Sequence, residues 1–214
     1  MLLVALTGGI ATGKSVIAQV LEQLGCFVHE SDTLAHELQA PEMPAWKTLV
    51  AHFGDKILNP DQTINRRALG AIVFADKKKR DFLNNLLHPQ VMGKKRDLIR
   101  KMEAEEHHNI FVSVAALTIE AGFGDFFDKI IVVHCDKEIQ LERLMKRDSI
   151  SKKEALEKIT SQMPIDEKLK HADYIITTSG SLRQTLEETE QVFRNLVVDF
   201  ELKSSVGANK KSKP

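Results

Sequence analysis

Net charge is the first thing this 214-residue sequence lacks, because 30 Lys and Arg are matched by 30 Asp and Glu. No overall field therefore draws the chain onto nucleic acid or an anionic membrane, and any binding must be local. Cysteine is scarce too. Cys26 and Cys135 lie far apart, match neither zinc spacing nor a redox pair, and each sits in an apolar, strand-like run that suits a small buried hydrophobe. No HExxH or paired-ligand spacing supports chelation by histidines. No charged-then-apolar leader opens the chain, and no apolar run approaches the ~20 residues that cross a bilayer. These shortages predict a soluble, cytoplasmic protein with no nucleic-acid or membrane partner. The length suits one sizeable core with room for a small subdomain.

What is present is concentrated near the amino end. Gly8-Gly9-Ile10-Ala11-Thr12-Gly13-Lys14-Ser15 fits GxxxxGKS at every fixed position and directly follows the apolar stretch Leu2 to Leu6. A buried strand running into a glycine-rich turn and then a helix points successive backbone N–H groups inward around a phosphate chain. The spacing predicts that Gly8, Gly9, Ala11, Thr12, Gly13, Lys14, Ser15 and Val16 cradle a nucleotide. Lys14 would sit over its β and γ phosphates and the Ser15 hydroxyl on Mg²⁺. Val16, Ile17, Val20, Leu21 and Leu24 repeat at helical spacing behind the loop, and Gly25 is a helix stop.

Further strand-like runs at Cys26–His29, Ile110–Ala115, Lys129–His134 and Tyr174–Thr177 alternate with helical patterns, the signature of a parallel sheet covered on both faces. Capping boxes mark two helix starts, Ser151 with Glu154 and Ser181 with Gln184. About seventy residues without a strand signal separate the second and third strands, more than one crossover needs. Two helical stripes within them, Trp46, Leu49, Val50, Phe53 and Phe82, Leu83, Leu86, Leu87, predict a helical insertion with its own core. Its segment from Arg66 to Lys101 carries eleven Lys or Arg against three Asp. Lys77 to Arg80 read as a solvated face, whereas Arg66 and Arg67 at a helix start suit an anionic acceptor. Residues 204–214 are small, polar, basic and without periodicity, and are expected to be disordered.

No DxxG switch and no NKxD motif occurs, which argues against a GTPase. A small kinase fits better, its insertion holding the acceptor and an arginine-bearing lid excluding water. Arg143 and Arg147, four apart on a helical segment, are the lid candidates. A carboxylate should orient the acceptor hydroxyl and take its proton, and Asp32, just past the second strand, is placed for it, although Asp is also a good helix cap ahead of Leu34.

In order and spacing, Thr7-Gly8-Gly9-Ile10, the Asp32 segment, Asn65-Arg66-Arg67-Ala68-Leu69 with Val73-Phe74, and Leu87-His88-Pro89 resemble the dephospho-CoA kinase family. Gln140-Leu141-Glu142-Arg143 with Arg147-Asp148, Gln162-Met163-Pro164, Glu167-Lys168 and Ala172-Asp173 continue the resemblance to about Gly180. It implies a phosphate-loop kinase with a five-stranded parallel sheet, a helical CoA-binding region over about 34–108 and a lid over about 138–170, within a single domain spanning 1–203. It implies transfer of the γ-phosphoryl of ATP, with Mg²⁺, to the 3′-hydroxyl of the ribose of dephospho-CoA, by a monomer or weak homo-oligomer. Asp32 matches the second acid of the family's DxD element. Arg66 and His88 match acceptor positions, although His88 before Pro89 also suits a helix stop.

Three departures stand out. Ala11 replaces a usual glycine, a change that ordinary turn angles would accommodate. Glu30 replaces the first Asp of DxD. The stretch Val114 to Glu120 keeps the terminal acid of a DxPLLFE pattern but loses its Asp and Pro, so Glu120 is a candidate substrate contact in partial compensation. The rival readings are another small-molecule kinase, such as a nucleoside monophosphate kinase, and a nucleotide-binding regulatory protein without catalysis.

Overall fold

A computed structural model describes residues 1–105 and 107–211. Five strands, β1 (Leu2–Gly8), β2 (Phe27–Glu30), β3 (Ile110–Val114), β4 (Lys129–His134) and β5 (Tyr174–Thr177), form one sheet of order β2-β3-β1-β4-β5. β1 pairs in parallel with β3 and β4, and β4 with β5. The central strand is apolar from Leu2 to Leu6 because both faces of the sheet are covered. Leu2, Val4 and Leu6 join Ile17, Leu21, Val192 and Leu196 on one face. The alternate position Ala5 joins Phe127, Ile130 and Val132, with Ile165 and Leu169 packed against them, on the other.

The helices of this unit are α1 (Lys14–Gln23), α6 (Lys137–Asp148), α7 (Lys152–Thr160), α8 (Ile165–Leu169) and α9 (Leu182–Lys211). α1 stops at the predicted place, where the N–H groups of Gly25 and Cys26 return to the carbonyls of Glu22 and Leu21. Both expected capping boxes are built. Ser151 and Glu154 exchange side-chain and backbone bonds at the start of α7, as Ser181 and Gln184 do before α9. α9 runs on through Lys211, into the stretch 204–214 that reads from sequence as a disordered tail; nothing in it before Pro214 forbids helix. Residues 212–214 lie outside the described residues.

The chain divides into two compact units, the sheet with its helices (Met1–His29 and the chain from Glu105 onward) and Glu30–Ala104. The second unit holds α2 (Ser31–Leu38), α3 (Pro44–Phe53), α4 (Arg66–Ala75) and most of α5 (Lys77–Glu105). The two expected stripes meet here. Leu49 and Phe53 of α3 pack with Ile57, Ile64 and Leu69, and Phe82, Leu83 and Leu86 of α5 close over them. Trp46 joins this core and donates its indole N–H to the carbonyl of Gln62.

Pro89 does not stop a helix. It lies inside α5, where it can donate no bond to the carbonyl of Asn85, a defect that costs ~3 kcal/mol in an isolated helix. Burial of Leu87, Met92, Ile99 and Met102 along the same helix holds it together across the proline.

Candidate active site

β1 delivers the glycine loop to the carboxyl edge of the sheet, and α1 begins at Lys14. Gly8 closes β1 opposite Val133, and a Cβ there would collide with the Val133 carbonyl, so only glycine allows this pairing. Gly13 caps α1 with φ +91°, a left-handed angle that glycine adopts without strain. The result is a helix amino terminus whose first-turn N–H groups and dipole favour an anion. Ser15 and Val16 in its first turn are exposed. Lys14 folds back, its Nζ donating to the carbonyls of Gly9 at 2.7 Å and Gly8 at 3.0 Å.

Ala11 departs from the sequence expectation. Its φ is +58°, in the left-handed region and not at an ordinary turn angle. For a residue with a Cβ that conformation costs roughly 1–2 kcal/mol. The glycine usual at this position has the same physical cause: the loop turns through a left-handed angle there.

The two lid arginines part company. Arg143 donates from Nη1 to the Thr178 hydroxyl at 3.0 Å and from Nη2 to the Thr178 carbonyl at 2.8 Å. The Thr178 hydroxyl in turn donates to the carbonyl of Thr12 at 2.8 Å, so Arg143 stands two bonds from the glycine loop. Arg147 instead pairs with Asp148 at 2.8 Å, as does Lys158. These partners hold the Asp148 carboxyl at about 2.

Glu120 is also engaged. Its Oε1 lies 2.8 Å from Nζ of the fully buried Lys168 and accepts from the Met163 N–H at 3.3 Å. Only Oε2, buried and without a hydrogen-bond partner among the described residues, is left to meet another group. Val114, where the family pattern has an acid, is a buried core residue of β3.

The remaining candidates belong to the second unit. Asp32 is not a helix cap: Glu30 holds that place, and Asp32 sits exposed in the first turn of α2. Arg66 opens α4, whose cap is Asn65, its Oδ1 accepting from the Ala68 N–H. Burial draws the Arg66 guanidinium down from its ordinary value, and the Asp32 carboxylate opposes that shift. His36, one turn along α2 from Asp32, is lowered by burial and by the Arg66 charge, with Asp32 again opposing. Asp32, His36 and Arg66 therefore share one electrostatic neighbourhood. Arg66 and His36 line a cavity of about 500 Å³ with Gln39, Asn59, Thr63 and Asn65. His88 stands half-buried in α5, and burial lowers its basicity.

Among the described residues, no three His, Cys, Asp or Glu side chains gather to hold a metal. Mg²⁺ needs no such cage, since it retains waters and takes its remaining oxygens from one or two protein groups and the substrate phosphates. The exposed Ser15 hydroxyl at the amino end of α1 fits that donor set.

Sequence reasoning missed Thr178 and His36 and treated Gln140 and Gln162 only as motif letters. Thr178 had one usable signal, its place just past β5 on the same sheet edge as the loop.

A parallel sheet of this order, with a GxxxxGKS turn at the end of its central strand, defines a phosphate-loop kinase. The chain belongs to the dephospho-CoA kinase family, whose model matches residues 2–184. It is 43% identical over 191 residues to a dephospho-CoA kinase of Geobacter metallireducens, covering 89% of this chain and 92% of that one. A solved dephospho-CoA kinase from Campylobacter jejuni is similar at TM-score 0.66 and 30% identity, over 91% of this chain and 96% of its own. A Thermus thermophilus structure reaches TM-score 0.76 at 27% identity, over 89% of this chain and 95% of its own.

Proposed function

We propose that this chain transfers the γ-phosphoryl of ATP to the 3′-hydroxyl of the ribose of dephospho-CoA, giving coenzyme A in the final step of its biosynthesis. The observation that carries the reading is the glycine loop, folded as an anion-accepting helix amino terminus in a chain of this family.

The N–H groups of residues 11–16 and the Lys14 ammonium hold the phosphate chain, and Lys14 exchanges its two loop carbonyls for phosphate oxygens. Ser15 would hold Mg²⁺, which when bound neutralises charge between the β and γ phosphates. Asp32 orients the acceptor hydroxyl and takes its proton as the new bond to phosphorus forms. Support comes from its place two residues past β2, its solvent access, and the Arg66 charge beside it. Arg66 grips an anionic group of the acceptor, supported by the cavity it lines. His88 makes a polar contact to the acceptor, and Glu120 contributes through its remaining oxygen. Of the arginines, Arg143 stabilises charge on the transferring group, since its bonds lead to the loop, while Arg147 keeps its nearby acid.

A coupled assay with purified chain, ATP, Mg²⁺ and dephospho-CoA should yield a product phosphorylated on the ribose. Asp32→Asn should bind ATP normally and lose at least about a hundredfold in kcat. Near-normal turnover would remove Asp32 from the chemistry. Arg143→Ala should lose roughly 3 kcal/mol of barrier lowering and Arg147→Ala clearly less. The reverse ranking would exchange their roles. Stoichiometric ATP binding without transfer would favour a regulatory protein instead.

A further inference from the structure

One residue of the phosphate loop, Ile10, is gripped from outside through the two peptide groups that flank it. The N–H of Ile10 donates to Oε1 of Gln162 at 2.8 Å, and the carbonyl of Ile10 accepts from Nε2 of Gln140 at 2.8 Å. The two glutamines come from different places, Gln140 from α6 and Gln162 from the turn between α7 and α8. Their amide orientations are fixed by the backbone they meet. A main-chain N–H can only donate, so Gln162 must present its oxygen; a carbonyl can only accept, so Gln140 must present its NH₂.

Two further observations show that the loop is built around this contact. Gly9 does not have a left-handed φ, so conformation does not demand glycine there. Its closeness to the clamp is what matters, because a Cβ at Gly9 would lie 2.6 Å from Nε2 of Gln140 and push the end of that side chain aside. On the other side, the Gln162 turn is anchored by a chain of bonds returning to β1. Met163 donates to Glu120 Oε1, which Lys168 also holds. Lys168 donates to the carbonyl of Ala116 at 2.6 Å, and Thr7, the residue before the loop, donates its hydroxyl to the same carbonyl at 3.2 Å. The residues on both flanks of Gly8 and Gly9 are thus tied into one circuit.

We propose that Gln140 and Gln162 are positioning residues for phosphoryl transfer, clamping the peptide groups on both sides of Ile10 and so aiming the amides that follow at the phosphate chain, with the Lys168–Glu120 pair holding Gln162 in place. The proposal rests on the reading of residues 8–16 as the ATP site. It also explains how Ala11, next in the chain, is kept in its strained conformation.

The clamp has a polarity, and that polarity makes it testable. Gln162→Glu retains an acceptor for the Ile10 N–H, whereas Gln140→Glu sets a carboxylate against a carbonyl. Both variants add one negative charge beside the same residue, so their comparison reads chiefly which main-chain group that charge meets. With the full chain, steady-state kinetics and calorimetric titration with ATP should show Gln140→Glu losing at least about tenfold more kcat/KM for ATP, and more ATP affinity, than Gln162→Glu. KM for dephospho-CoA should stay within about twofold in both, a split that general loss of folding would not produce. Gln162→Ala, which removes the acceptor without adding charge, should weaken ATP about tenfold. Equal losses in the two Glu variants, or wild-type ATP affinity in Gln162→Ala, would overturn the clamp. A wild-type chain that binds ATP yet leaves dephospho-CoA unphosphorylated would overturn the acceptor reading alone, and the clamp is then judged on ATP affinity.

Discussion

At the scale of the residue, Ala11 is a misfit in its own loop. Its left-handed backbone angle implies that Ala11→Gly removes strain that exceeds the flexibility glycine adds to the unfolded chain. The expected gain is about 0.5–1 kcal/mol in denaturant unfolding. A loss of stability would show that the angle is relaxed.

Lys95 is the other misfit, a charged residue only 4% exposed in the basic run Lys94 to Arg96, with its Nζ 3.0 Å from the Ser31 hydroxyl. Burial pulls its pKa from 10.5 to about 8. Below pH 8 the ammonium is carried in both folded and unfolded chains, and the cost of burying it is present in full. Between pH 8 and 10.5 the unfolded chain binds more protons, so this group makes stability rise with pH. The raised cysteines act with the opposite sign over the same window, so the Lys95 effect is read as a difference: unfolding midpoints of the wild type should gain on those of Lys95→Met as pH rises from 8 to 10.5. The cysteines behave as the composition suggested. Burial pushes Cys26 up to about 12 and raises Cys135 as well, and neither forms a disulfide. Iodoacetamide at neutral pH should label both only after unfolding.

At the scale of the element, α8 is tied to the turn after β3 by an ion pair whose cation is fully buried. Lys168→Met leaves Glu120 largely buried without its cation and should cost about 3 kcal/mol or more, whereas replacing both partners with apolar residues should cost less. Similar losses in the single and double variants would place the cost in packing rather than in the charge pair. α9 offers a contrast along one helix. Lys203 reaches back to the Met1 carbonyl at 2.9 Å and Asp128 at 2.6 Å, while residues 204–206 are exposed. Ending the chain after Lys203 should leave the thermal midpoint unchanged, and ending it after Asp199 should lower it.

At the scale of the whole molecule, the five strands and the helical excursion between β2 and β3 are legible before any coordinates. Strands covered on both faces must be continuous apolar runs, and a long stretch without such a run has nowhere in the sheet to go. Pro89 was misleading because its local effect is real but smaller than the packing of the helix around it. The reaction belongs to this scale too. Chelation with EDTA should abolish phosphoryl transfer, because Lys14 by itself compensates only part of the charge between the β and γ phosphates. Undiminished turnover without divalent cation would refute that.

The sequence alone determined the phosphate loop, since eight consecutive residues carry its whole chemistry and need only the strand before and the helix after. It also determined the strand count, the caps of α7 and α9, and the family. Tertiary structure alone decided which side chains hold that loop in shape. Ile10 meets Gln140 and Gln162 across 130 and 152 residues of chain, and Arg143 reaches Thr178 across 35. A glutamine on a helix face reads the same in sequence whether it meets water or a peptide. Only the folding of α6 and the 160–164 turn onto the end of β1 distinguishes them.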